Sequence, residues 1–130
     1  MSAFSEILDA VMTMAQATEP YAIITAGALP ADNGICMTYG PGAPASTFLD
    51  KGMAYARTLV LNAKNISQQA AQEALDAIHV ALTQTKTYPS GETWQITDIE
   101  TIAAPSYLSR EQNSQWLYGS SLRVKFFLRS

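Results

Sequence analysis

From Gln115 to Ser130, six apolar side chains (Trp116, Tyr118, Leu122, Val124, Phe126 and Leu128) stand at alternate positions, interrupted only by Ser120. Gln115, Ser121, Arg123, Lys125 and Arg129 fall between them. A period of two puts one set on each face of a strand. The segment therefore predicts a strand with one apolar and one basic face. It exceeds the usual ~5–6 residues. A strand of that length needs paired neighbours and a cover for its apolar face, so the chain has to build a sheet with something packed on one side.

The chain has 130 residues, of which 48% are hydrophobic and 15% charged. That composition predicts a folded single domain spanning 1–130 and argues against disorder. No apolar run approaches the ~20 residues of a membrane-spanning helix, so no membrane partner is expected. Met1–Glu6 lacks the basic start and apolar core of a signal peptide. Cys36 is the only cysteine, which precludes an internal disulfide and suits a reducing compartment. The net charge of −3 is unevenly spread. Residues 1–100 hold ten acidic and four basic side chains, a balance of −6, and residues 101–130 hold one and four, a balance of +3. Ends of opposite sign favour head-to-tail contact between copies; a solvated strand face accounts for the basic side chains equally well.

Ser2 is placed to cap a helix running to Ala15, with Phe4, Ile7, Leu8, Val11 and Met14 as its apolar stripe and Glu6 in the first turn. Glu19-Pro20 ends it. Tyr21–Thr25 reads as a short buried strand, Asp32-Asn33-Gly34 as a turn, and Ile35–Tyr39 as a second strand with Ile35, Met37 and Tyr39 on one face. Gly40–Pro44 predicts a loop. Ser46–Leu49, a turn at Asp50-Lys51-Gly52 and a longer strand from Met53 to Lys64 read as a hairpin. Asn65 or Ser67 caps a second helix ending near Thr83, narrowed by Ala70, Ala74, Ala77 and Ala81. Thr93–Ala103 alternates weakly, with Trp94, Ile96 and Asp98 set against Thr93, Gln95, Thr97 and Ile99, and predicts a strand. Pro105–Ser114 reads as a polar connection. This order predicts an α+β fold with two helices packed on one face of a mostly antiparallel sheet.

Reactive groups are sparse. His79 is the only histidine and lies in the second predicted helix, beside its stripe. A Cys36–His79 nucleophile–base pair has no local support, because single buried cysteines usually act as small hydrophobes. One histidine and one cysteine do not make a metal site, and no cofactor is implied. Asp98 and Glu100 share a strand face, where alternating acids are commoner than an acid–base pair. Gly40-Pro41-Gly42 lacks the lysine and helix start of a phosphate loop. Four scattered cations do not argue for specific nucleic-acid binding. An enzyme is not expected.

The order of features from Phe48 onward resembles one family. Phe48-Leu49-Asp50-Lys51-Gly52 is followed by the strand Thr58–Asn65 and by the helix bearing Ala71, Leu75, Ile78 and Leu82. The run Pro105-Ser106-Tyr107-Leu108-Ser109-Arg110-Glu111-Gln112-Asn113-Ser114-Gln115-Trp116-Leu117-Tyr118 then leads into the basic–apolar strand. Over roughly residues 21–130 this is similar to the tail terminator, or minor capsid, proteins of bacteriophages and prophages with long non-contractile tails. The ending is its most specific part. Where members of that family often carry Asp and Gly in the last turn, this chain has Glu111 and Asn113-Ser114.

The resemblance implies a virion structural protein at the head–tail junction, assembled in the host cytoplasm. It implies a ring of copies, commonly six, that caps the tail tube, stops its elongation and presents a surface for the filled head. The implied partners are other copies of the chain, the tail tube protein and a head completion protein. Arg110, Glu111, Trp116 and Tyr118 are the candidate interface residues, since aromatics and arginine are enriched at interfaces; core packing is the other role open to Trp116 and Tyr118. The competing readings are another structural subunit of the same particle, such as a head-completion or tail tube protein, and a nucleic-acid-binding domain using Arg110, Arg123, Lys125 and Arg129.

Overall fold

The computed structural model describes residues 2–40, 46–47 and 54–128. Within them lie two helices, α1 (Ala3–Gln16) and α2 (Gln68–Thr83). Six strands accompany them: β1 (Ile24–Ala26), β2 (Ile35–Tyr39), β3 (Ser46–Thr47), β4 (Ala54–Asn65), β5 (Trp94–Arg110) and β6 (Trp116–Leu128). The strand order is β1-β2-β4-β6-β5, and β3 also pairs with β4. Only β1 and β2 are parallel; every other pairing is antiparallel. The expected loop at Pro41–Pro44, the turn at Asp50–Gly52 and Arg129 lie outside the described residues. The antiparallel register Ser46↔Ala56 and Thr47↔Tyr55 is that of the expected hairpin.

Both helices start as their caps dictate. The Ser2 side chain accepts the Ser5 N–H at 3.2 Å, and Ser67, not Asn65, does the same for Ala70 at 3.2 Å. Asn65 instead accepts the Ser67 N–H at 2.8 Å and so shapes the entry to α2. The apolar stripes of both helices lie on one face of the sheet. Ile7, Val11, Leu75, Ile78 and Leu82 join Leu59, Leu61, Leu122, Val124 and Phe126 in a single core. Register explains the shared face, because Leu59 pairs with Leu122 and Ala63 with Tyr118 across β4 and β6. Aromatic rings close the far end of that core. Phe4 meets Phe126 edge-on at 5.7 Å, and Arg57 stacks on Tyr39 with its Cζ 4.1 Å from the ring centroid.

Four features of the sheet differ from the sequence reading. The first strand starts at Ile24, not at Tyr21. Cys36 is buried along with Ile35 and Met37, so β2 is covered on both sides at its start. The β5 strand does not stop at Ala103 but continues through Pro105 to Arg110. A proline is compatible with that position because β5 is an edge strand and its pairing with β6 shifts register between Ala103 and Ser106. A further bulge between Ile96 and Asp98 explains the weak alternation: it turns Asp98 outward and brings Ile99 into the core.

His79 is not a helix-flank residue. It is 5% exposed, its Nδ1 lies 2.9 Å from Thr101 Oγ1 on β5, and its buried Nε2 has no partner among the described residues. Burial holds the imidazole below its ordinary value of 6.5, against a smaller opposing effect of Asp76. A depressed histidine is neutral in both states above the unfolded pKa. As pH falls below about 6.5 the unfolded chain takes up the proton first, and stability drains away. Denaturant unfolding is therefore expected to show stability declining from pH 7 to pH 5, with His79→Gln flattening the decline. Glu100, whose carboxyl Arg123 and then Lys125 hold below 4.5, contributes its own loss only at more acid pH.

Candidate functional site

The β5–β6 hairpin turns at one end of the sheet, and three of the four candidate residues lie at that turn. Arg110 and Trp116 are register partners, with the Arg110 guanidinium carbon 5.0 Å from the centroid of the Trp116 ring. Tyr107 meets the edges of Trp116 at 5.9 Å and of Tyr118 at 6.2 Å. The three rings and the cation form one continuous stack on the helix side of the sheet, next to the start of α2. Within the stack the residues differ. Arg110 is exposed and Trp116 half-buried, whereas Tyr118 is 5% exposed and belongs to the core, with its hydroxyl accepting from Gln68 Nε2 at 2.8 Å.

Glu111 faces the other way. Its carboxylate lies 2.7 Å from Lys64 Nζ, and the Lys64 side chain is only 9% exposed. Lys64 pairs in register with Leu117, so this ion pair sits on the sheet face opposite the helices. The turn itself is tight: the Glu111 N–H donates to Gln115 O at 2.8 Å and the Ser114 N–H to Glu111 O at 3.0 Å. Ser114 takes φ of +67°, the left-handed region that favours glycine.

Side chains tie this turn to two others. Buried Gln115 accepts the Asn33 N–H through Oε1 at 2.8 Å, and Asn113 Nδ2 donates to Asp32 Oδ1 at 3.0 Å. Asn33 Oδ1 accepts the Ile66 N–H at 3.1 Å. The Tyr21 hydroxyl donates toward Lys64 O at 2.8 Å and lies 3.0 Å from Gly34 O, and burial raises its pKa to about 12. The turns at 31–34, 64–67 and 111–115 thus form one hydrogen-bonded clasp. Sequence reading found the Asp32-Asn33-Gly34 turn but missed Tyr21, Lys64 and Gln115, whose partners are distant in the chain and carry no local signal.

Around the clasp the surface is unusually apolar. Ile23, Ile66, Leu108 and Tyr107 are 79%, 63%, 53% and 52% exposed, and all four flank this end of the sheet. Clustered exposed apolar side chains mark a contact surface. Elsewhere, the reactive groups stand apart from one another in role. The Cys36 thiol is pushed up by burial and His79 is occupied with Thr101. Among the described residues no group of three or more His, Cys, Asp or Glu side chains is placed to hold a metal, and no helix is long and apolar enough to cross a membrane.

No protein-family model and no curated protein matches the chain. Solved structures do. A chain from the virion of a native gene transfer agent particle superimposes with a TM-score of 0.69 at 14% sequence identity. The match covers 98% of this chain and 99% of that one. At that identity the likeness establishes a shared fold, and it does so end to end.

The clasp yields two expectations, both read by urea unfolding. Glu111→Gln leaves the Lys64 ammonium nearly buried without its partner and should lower stability by about 1–2 kcal/mol, since Glu111 is partly solvated. Adding Lys64→Met should recover most of the loss. Ser114→Gly relieves the left-handed strain and should raise stability by roughly 0.5–1 kcal/mol.

Proposed function

We propose that the protein is a structural component of a phage-like particle that caps the tail tube, ends its elongation and forms the surface to which the head joins, working as a ring of copies. The observation that carries this reading is the end-to-end likeness to a chain of a gene transfer agent virion, with neither chain leaving a domain unmatched. A chain of the same fold and extent, found within a gene transfer agent virion, supports a virion role. The family resemblance of the Pro105–Tyr118 ending narrows that role to the terminator.

The site geometry is compatible with it. A clasp of three turns gives a stiff platform, and exposed Ile23, Ile66, Tyr107 and Leu108 beside Arg110 give it an apolar, arginine-bearing rim. Such a platform docks by shape and needs no reaction step, so the protein acts as a structural element and not as an enzyme. Arg123 and Lys125 lie beside the Glu100 carboxylate, at 3.0 and 3.5 Å, and do not form the cluster of cations that a nucleic-acid reading relies on. The ring would lie at the head–tail junction, with the tube protein on one face and a head completion protein on the other.

Deleting the gene from its particle tests the terminator role by electron microscopy. A terminator is expected to leave tails of unregulated, excessive length without heads, restored to uniform length by the intact gene. Tails of normal length with unjoined heads would instead identify a head-completion subunit, and absence of tails a tube subunit.

A further inference from the structure

A ring needs two different patches on each copy, and the fold restricts where they lie. Extending the sheet from copy to copy is obstructed at both edges. On β1 the Gln16 amide occupies the outer edge, with Oε1 accepting the Ile24 N–H at 2.8 Å and Nε2 donating to Ala22 O at 3.3 Å. On β5 the segment before the strand folds back along its start, the Ile96 N–H reaching Pro89 O at 3.3 Å. Beyond that, Pro105 and the repeated register shifts spoil the edge. Faces, not edges, are left for contact.

Two faces are complementary. The exposed stripe of α2 consists of Gln69, Glu73, Asp76, Ala77 and Val80, and neither helix carries a Lys or Arg. Away from the end where Cys36 and Lys64 are buried, no described helix covers the opposite face of the sheet. There β6 presents Arg123 and Lys125, whose side chains are 46% and 44% exposed and share the one carboxylate of Glu100. Arg123 spends a single N–H on it, so most of its five donors stay free. Asp98 stands opposite Lys125 but has no ion-pair partner among the described residues. Beside these cations an apolar groove of about 280 Å³ opens between Val60, Ala103, Leu108 and Gly119. Glu73 to Val80 spans about 10 Å along a helix, and Lys125 to Ser121, at the near rim of the groove, about 13 Å along a strand. Acids and valine on one copy therefore match cations and groove on another in spacing as well as in chemistry.

We propose that neighbouring copies join by seating the α2 stripe Glu73–Val80 of one on the uncovered sheet face of the next, with Glu73 and Asp76 meeting Arg123 and Lys125 and Val80 entering the groove. This rests on the ring reading and specifies its contact. The resulting layers repeat helix on sheet, so each sheet becomes buried on both faces.

Charge reversal tests the pairing, with the full chain's mass by light scattering and its ability to restore tail length as the two readouts. Glu73→Lys with Asp76→Lys, or Arg123→Glu with Lys125→Glu, should each weaken self-association about ten-fold or more and fail to restore tail length. All four changes in one chain should recover both. Val80→Arg and Ser106→Arg, at exposed positions away from the ion pairs, should also block association while preserving the fold by circular dichroism. Association and tail length unaffected by any of these variants would overturn the pairing and leave the ring reading intact. Wild-type protein that stays a single chain in solution and has no effect on tail length would overturn the ring reading and the pairing with it.

Discussion

Strand β6 is the element on which the rest of the molecule depends. It is hydrogen-bonded to β4 along one edge from Trp116 to Phe127 and to β5 along the other from Trp116 to Leu128. A strand flanked on both sides over such a length has one freedom left, the choice of face, and alternation removes it. Leu122, Val124 and Phe126 must go under the helices, so Arg123 and Lys125 must go to the other side. A slip of one residue would bury two cations and expose three large apolar groups. The register of β4 and β5, the placement of both helices and the sign of the uncovered face all follow from that constraint.

The same constraint explains which parts were readable from the chain. The β6 pattern, the helix caps at Ser2 and Ser67 and the α2 stripe are local signals, and each is found where it was expected. The errors cluster in β5. Its alternation is broken by bulges, so a period-two search sees a strand that fades at Ala103, and Pro105 then looks like its end. Pairing with β6 carries β5 through to Arg110, because a proline on an edge strand forfeits no ladder bond. His79 failed for a different reason: its burial depends on packing against β5, where Thr101 receives the ring, a contact between residues distant in the chain that leaves no local signal.

The candidate site shows the same division. Arg110, Glu111 and Trp116 come together at one hairpin end, as their closeness in the chain suggests. What makes that hairpin end rigid was not legible: Lys64 and Glu111 are far apart in sequence, as are Asn33 and Gln115. Polar side chains such as these carry no periodic signature, and only the fold shows that Gln115, placed by the alternation on the polar face of the terminal strand, is buried within the clasp.

Rigidity at that end has a consequence for any assembly the protein enters. The exposed apolar side chains sit on backbone that is already held, Tyr107 and Leu108 on the paired strand β5 and Ile66 on a turn bonded to Asn33, so little ordering remains to be done when a partner arrives, and binding loses little to entropy. The opposite arrangement, an apolar surface on unsupported loops, would have to freeze those loops on contact. Under the proposed terminator role, a subunit that stops a polymer at one defined length gains from the first arrangement, because its docking surface is already shaped before the tube end is reached. The near-buried Lys64 suits this role. Its pairing with Glu111 adds little net stability against a well-packed apolar substitute, but its directional demand locks β4 to the β5–β6 turn and so holds the platform in one geometry.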